Sequence, residues 1–207
     1  MLEKELSFAD LSISLSELYE AMGYADAVPD EAVEKEVRGV LGRVEAVTSP
    51  RFCFFISGGE LDESKDSLSV GDTCFSIGKI ITRQLRGSES FAFFAATAGT
   101  GFERFQHTLL QEGDMVKVYI ADAIGSVIAE KTADCMEIAL DEYIRDRGWR
   151  HTNRFSPGYC GWHVSEQKKL FPFISFSGTL RHPVDRFQFD ASYKIGQWSN
   201  RPGGWCP

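Results

Sequence analysis

Apolar residues along this chain follow two patterns: a helical one repeating about every 3.6 residues, and short unbroken runs typical of buried strands. Residues 1–13 read as an edge strand or an arm. Leu15, Leu18, Tyr19 and Met22 fall on one side of a short helix that Ser14 or Ser16 can cap and Gly23 ends. Pro29, Asp30 and Glu31 suit a first helical turn. Val33, Val37, Val40, Leu41, Val44 and Val47 then follow at helical spacing until Ser49-Pro50 stops the helix. Phe52 to Ile56 is an unbroken apolar run, hence a strand, and Gly58-Gly59 breaks it. The polar stretch from Glu60 to Ser69 reads as a loop. Cys74 to Ile77 is a short strand, Ile80 to Leu85 a helical turn, and Ser90 to Thr97 a buried strand carrying Phe91, Phe93 and Phe94. A glycine turn at Gly99 and Gly101 leads into a helix from about Phe102 to Leu110.

The longest periodic segment runs from Asp114 to Arg147. Val116, Ile120, Ile124 and Val127 are spaced for one buried face, continued by Cys135, Ile138 and Ala139. Gly125 and Ser126 interrupt it, which predicts another backbone packed close against that point. Glu130 and Asp134 lie four apart, hence on one face. The expected domain is α+β, with antiparallel strands packed on helices and the 114–147 helix as its central support.

Charge and cysteine content narrow the function classes. A net charge of -8 argues against a nucleic-acid partner, which would need a basic face. No apolar run approaches membrane-spanning length, and the acidic, mixed N-terminus is unlike a signal peptide. Cys53, Cys74, Cys135, Cys160 and Cys206 are scattered without any C-x-x-C pair. They read as reduced thiols, hence a cytoplasmic protein, rather than as a zinc ribbon or disulfide framework. The Gly99–Gly101 turn follows a strand and opens a helix, as phosphate loops do. The Lys-Ser/Thr ending is missing, and no acidic ribose-binding residue follows, so a tight structural turn is the reading kept.

Residues Arg154 to Gln167 are too irregular for a helix. Pro157 lacks an N–H, and Gly158 and Gly161 admit backbone angles that other residues avoid. Arg154 offers a forked cation for a carboxylate, and Tyr159 and Trp162 offer flat faces with a polar edge. From chemistry alone, a Pro-Gly turn beside a surface arginine explains this stretch as simply as a ligand cradle does.

The spacing adds a further meaning. Arg154-x-x-x-Gly158-Tyr159 resembles the S-adenosylmethionine-binding motif of the reactivation domain of cobalamin-dependent methionine synthase. Trp162 and Ser165-Glu166-Gln167 resemble its stand-alone forms. Asp122 to Glu130 is similar to that family's long helix, and Thr97-Ala98-Gly99 to a turn upstream of it. The resemblance implies an activation-domain-like fold that binds S-adenosylmethionine and supports reductive methylation of cob(II)alamin. The cobalamin would be carried by a partner: a methionine synthase core or another corrinoid protein. An electron donor such as flavodoxin is implied as well. Arg154 would bind the methionine carboxylate, Gly158 would let the main chain approach the ligand, and Tyr159 would line the site toward the corrin. Glu130 matches a helix glutamate facing the cobalt region, which places Glu130 and Tyr159 nearest the chemistry. A second acidic residue of the family would fall near Gly148 and is not matched. No metal ligand set is implied within the chain. A reactivation factor or binding protein for another corrinoid methyltransferase is the alternative. A thiol enzyme using Cys160 beside His163 is a third class, with no sign of a lowered thiol pKa.

The matching patterns span roughly the central half of the chain; the activation-domain-like unit is assigned to residues 1–177, and the resemblance fails after about Ser177. From Gly178 the chain lacks the family's closing Cys-Gly-Ile strand and its Pro-x-Lys-Ser-Val-Ser-Gly segment. Residues 178–207 fit a shifted reading frame. Codons chosen for Gly178 onward and read one base later spell Gly-Pro-Cys-Gly-Ile and, further on, His-Pro-Ile-Lys-Ser-Val-Ser-Gly. The single codon of Trp198 forces the last glycine of that run. Such a tail is expected to be irregular and to leave the sheet one strand short.

Overall fold

The computed structural model describes residues 1–24 and 27–174, and the backbone of 193–199. Within them the chain forms an α+β domain with two antiparallel sheets, as the pattern predicts. The larger sheet is built from β1 (Leu2–Glu5), β2 (Arg51–Gly58), β6 (Ser90–Thr97) and β7 (Tyr193–Ser199), in the order β1-β2-β6-β7. The smaller contains β3 (Glu60–Asp62), β4 (Ser67–Val70) and β5 (Thr73–Ser76).

Strands β2 and β6 pair along their whole length, from Arg51 opposite Thr97 to Gly58 opposite Ser90. Both of their faces are covered, which explains their unbroken apolar runs. One face places Phe52, Phe54, Phe94 and Ala96 against the long helix; the other places Cys53, Phe91, Phe93 and Ala95 against the small sheet. Phe93 and Phe55 stack with ring centroids 5.2 Å apart.

The helices are α1 (Leu15–Ala21), α2 (Glu31–Val47), α3 (Gly78–Leu85), α4 (Thr100–Glu112), α5 (Met115–Arg145) and α6 (Gln167–Leu170). Their starts follow from side-chain caps. Ser14 and Glu17 form a reciprocal capping box on α1, Asp30 accepts from the Val33 N–H at 2.9 Å, and Asp114 accepts from the Lys117 N–H at 3.1 Å. Helix α5 is the central support. Its first half packs Ile120, Ile124, Val127 and Ile128 among α1, α2 and α4; its second half packs Ala133, Met136, Leu140 and Ile144 under the large sheet.

The expected buried face of α5 needs correction at both ends. Val116 is 63% exposed and Ile138 61% exposed. The buried residues step by about four along a helix of about 3.6 residues per turn, so the stripe winds around the axis. One side of α5 meets helices and another meets the sheet, and no single straight face describes it.

Three further expectations change. The 60–69 stretch is not a loop but β3, a turn and the start of β4; Asp62 Oδ1 accepts from the Ser64 and Lys65 N–H groups and closes the turn. At Gly125 the close neighbour is a side chain, not a backbone: a Cβ there would overlap the ring of Phe102 from α4. In the tail, residues 193–199 are not irregular. They form β7, antiparallel to β6 from Phe91 opposite Ser199 to Thr97 opposite Tyr193, so the sheet edge at β6 is paired. Tyr193, Ile195 and Trp198 are residue types enriched in strands, and pairing satisfies the backbone groups at the β6 edge. The rest of 178–207 lies outside the described residues.

Candidate functional site

The site begins with an acidic stripe on α5. Glu130, Asp134, Glu137 and Asp141 are spaced by four, three and four residues, which brings them onto one helical face. Only the first two were singled out in the sequence, although the full spacing is visible there. The chain leaves α5 through Gly148, whose φ of +67° ends the helix, and runs back along this face.

On the way back it lays two cationic or polar groups on the stripe. His151 Nε2 lies 2.7 Å from Asp141 Oδ1, and its Nδ1 lies 2.8 Å from the Thr152 carbonyl oxygen. The Arg154 guanidinium donates from Nη2 to Glu130 at 3.0 Å, and from Nη1 to Asp134 at 2.7 Å and Glu137 at 3.4 Å. The structure therefore joins Arg154 and Glu130, two of the residues expected in the site. It also adds Asp134, Glu137, Asp141 and His151. All of the acidic groups beside Arg154 come from α5, none from near Gly148.

The next residue turns the opposite way. Phe155 is buried in the core beneath the sheet, so Arg154 is held toward the helix by its neighbour's anchoring. A tight turn follows. The Tyr159 N–H donates to the Ser156 carbonyl at 3.1 Å, the Gly158 N–H to the Trp162 carbonyl at 2.7 Å, and the Trp162 N–H to the Tyr159 carbonyl at 2.9 Å. Gly158 has φ +102°, a region where a side chain is strained, so the glycine is required by the turn itself. Tyr159 projects outward and is 64% exposed, while Trp162 is buried against Phe75 at a centroid distance of 6.5 Å. Trp162 is thus a core anchor, not a ligand-facing ring.

Burial pushes the Glu137 carboxyl above its ordinary range, and the Arg154 guanidinium and His151 pull it partly back. A carboxyl raised in the folded state is penalised once ionised. That penalty is absent below the unfolded value, 4.5, and complete above the folded one, so stability falls as pH rises through this interval. Glu137→Gln is therefore expected to melt at or above the wild-type temperature at pH 7, with the difference vanishing below about pH 4. Melting curves across this pH range check it.

The arrangement does not support a thiol enzyme. Cys160 is disulfide-bonded, which corrects the expectation that all five cysteines are reduced, and His163 Nδ1 faces Ser165 Oγ at 2.7 Å. Cys53, Cys74 and Cys135 are free, and burial pushes the Cys53 thiol up to about 12, leaving it unreactive. Among the described residues no helix is long and apolar enough to cross a membrane.

No family model and no curated protein matches the chain. A search of solved structures does find a likeness. The fold is similar to that of a crystal structure of the MetH reactivation domain bound to AdoHcy, with a TM-score of 0.60 and 14% sequence identity. The alignment covers 100% of this chain and 80% of that one.

Proposed function

We propose that this domain binds S-adenosylmethionine between the acidic stripe of α5 and the Arg154–Tyr159 turn. In this reading it acts in trans as the reactivation module of a cobalamin-dependent methionine synthase. The observation that carries the reading is one guanidinium seated among three carboxylates, beside a turn with an exposed tyrosine. S-adenosylmethionine carries a carboxylate, an ammonium and a sulfonium, so it is a net cation with one anionic end. Arg154 can take the carboxylate through its fork, and Glu130, Asp134 and Glu137 can then turn to the two cationic centres. A site of opposite balance would repel this ligand. The likeness of the fold to a domain bound to AdoHcy supports the same ligand class.

The chain's own residues bind and orient. Gly158 brings bare backbone to the ligand, and Tyr159, which projects outward, covers it on the side where a corrinoid partner would dock. Glu130, by its match to the family's helix glutamate, would lie nearest the methyl-bearing centre. S-adenosylmethionine, when bound, supplies the methyl group that traps reduced cobalamin on the partner; the protein contributes position and charge. The partner would be a methionine synthase core or another corrinoid protein, reduced by a donor such as flavodoxin.

Reconstitution tests this reading. A cobalamin-dependent methionine synthase lacking its last domain is allowed to inactivate, then given flavodoxin and its reductase, S-adenosylmethionine and this chain. Turnover should return only when all are present. Recovery without the chain, or none with it, would contradict the proposal.

A further inference from the structure

Ser165-Glu166-Gln167 directly follows the ligand turn. Glu166 lies at the end of a short 3-10 turn, Val164–Glu166, and its side chain is only 12% exposed. Its carboxylate reaches ninety residues back in sequence, accepting from the Ser76 N–H at the end of β5 at 2.9 Å. The same carboxylate accepts from Lys169 Nζ at 2.9 Å, and that ammonium also donates to the Cys74 carbonyl of β5 at 2.9 Å. One carboxylate and one ammonium thus tie the chain just after the turn to a single strand.

A second contact lies at the same corner. Gly78, the first residue of α3, has φ +78°, and a Cβ on it would stand 2.7 Å from the Gly161 carbonyl oxygen. The ligand turn therefore rests against the β5–α3 corner by direct backbone approach. Upstream the turn is held by Arg154 on α5; within it Cys160 is disulfide-bonded and Trp162 is buried, and downstream it is held by Glu166 and Lys169 on β5. Gly158 and Tyr159 sit between Arg154 and these anchors.

We propose that Glu166 is a positioning residue for the ligand turn, and that the small sheet is the buttress it fastens the turn to. An isolated exposed ion pair would contribute little. This carboxylate is largely sheltered and accepts a backbone N–H, the stronger kind of contact. Ser76 is exposed, so water can replace the lost acceptor if Glu166 is removed. What is lost is the placement of the turn, with little effect on global stability.

Backbone hydrogen exchange of the ligand-free full chain tests this. In Glu166→Ala, the Gly158 and Trp162 amides should exchange roughly tenfold faster, while those of α2 stay unchanged. Glu166→Gln keeps an oxygen for the Ser76 N–H and should stay near wild type. In the calorimeter, Glu166→Ala should bind S-adenosylmethionine about tenfold more weakly, with the Gln variant close to normal. Unchanged turn amides in the Ala variant, a Gln variant as loose as the Ala one, or equal acceleration in α2 would each overturn the proposal. If Glu166→Ala does not fold, Lys169→Ala carries the same expectation for the turn amides, and unaccelerated exchange there overturns it. The calorimetric arm rests on the ligand reading above. Should the wild-type chain bind no S-adenosylmethionine, that reading falls, and exchange alone still decides the role of Glu166.

Discussion

Arg154→Ala is expected to bind S-adenosylmethionine at least about tenfold more weakly than the wild-type chain, with the fold intact. A hydrogen bond involving a charged group contributes about 1.5–3 kcal/mol, and about 1.4 kcal/mol is a factor of ten in affinity. The guanidinium is partly sheltered, with 24% of the side chain exposed, so water replaces it poorly. Its removal also leaves Glu130, Asp134 and Glu137 facing one another without the cation that now holds them together. Their repulsion is relieved by solvation, since all three carboxylates are at least a third exposed. The melting temperature should therefore shift by only a few degrees. Arg154→Lys keeps the charge but loses the fork, and should fall between the two. A calorimetric titration equal to wild type in Arg154→Ala would remove Arg154 from the site.

Gly101→Ala is expected to be the costliest small substitution in the scaffold. A Cβ at Gly101 would overlap the Val47 carbonyl oxygen, where the end of α2 meets the start of α4. Backbone cannot step aside as a side-chain tip can, and overpacking of this kind costs about 3 kcal/mol. Alanine is the better helix former by about 1 kcal/mol, so the net loss is about 2 kcal/mol. For a domain of this size the melting temperature should fall by roughly 4–8 °C. Gly42 is the matched control, a helical glycine of α2 with nothing within 4 Å of an added Cβ. Gly42→Ala should raise stability by up to about 1 kcal/mol. Thermal melts of the two variants check the sign as well as the size. A Gly101→Ala variant as stable as wild type would mean that α2 and α4 are not packed as described.

This pair also shows what could be read from the sequence. The Gly99–Gly101 turn was legible as structural because the phosphate-loop ending is absent; the reason for the glycines, the carbonyl ends of α2 and its following turn, was not. Gly99 stands against Ser49 as Gly101 does against Val47. The helices of α2 and α4 were legible from their stripes, and β2 and β6 from runs that only a doubly covered strand needs. The polar hairpin of β3 and β4 was hidden because its turn residues outnumber its apolar ones. The path of α5 was hidden because its two halves bury different sides. At the site, chemistry alone allowed a surface arginine at 154. Only the fold shows that the return from α5 sets Arg154 on Glu130, since a contact between residues 24 apart depends on where the chain reverses.

The tail remains a proposal of a different kind. The strand at 193–199, paired with β6 from end to end, counts against a shifted frame, and the nucleotide sequence decides. The nucleotide sequence around the codon for Ser177 is expected to be open in the next frame and to encode Ser-Val-Ser-Gly downstream. A closed frame there, or a different downstream sequence, contradicts it.

A cation-rich amino-acid ligand is expected to seat between the α5 stripe and the Arg154–Tyr159 turn. Calorimetric titration of the wild-type chain with S-adenosylmethionine tests it most directly. The account predicts saturable binding at one site per chain, displaced by S-adenosylhomocysteine. An absence of heat and of displacement at millimolar ligand, with the protein folded, would contradict it.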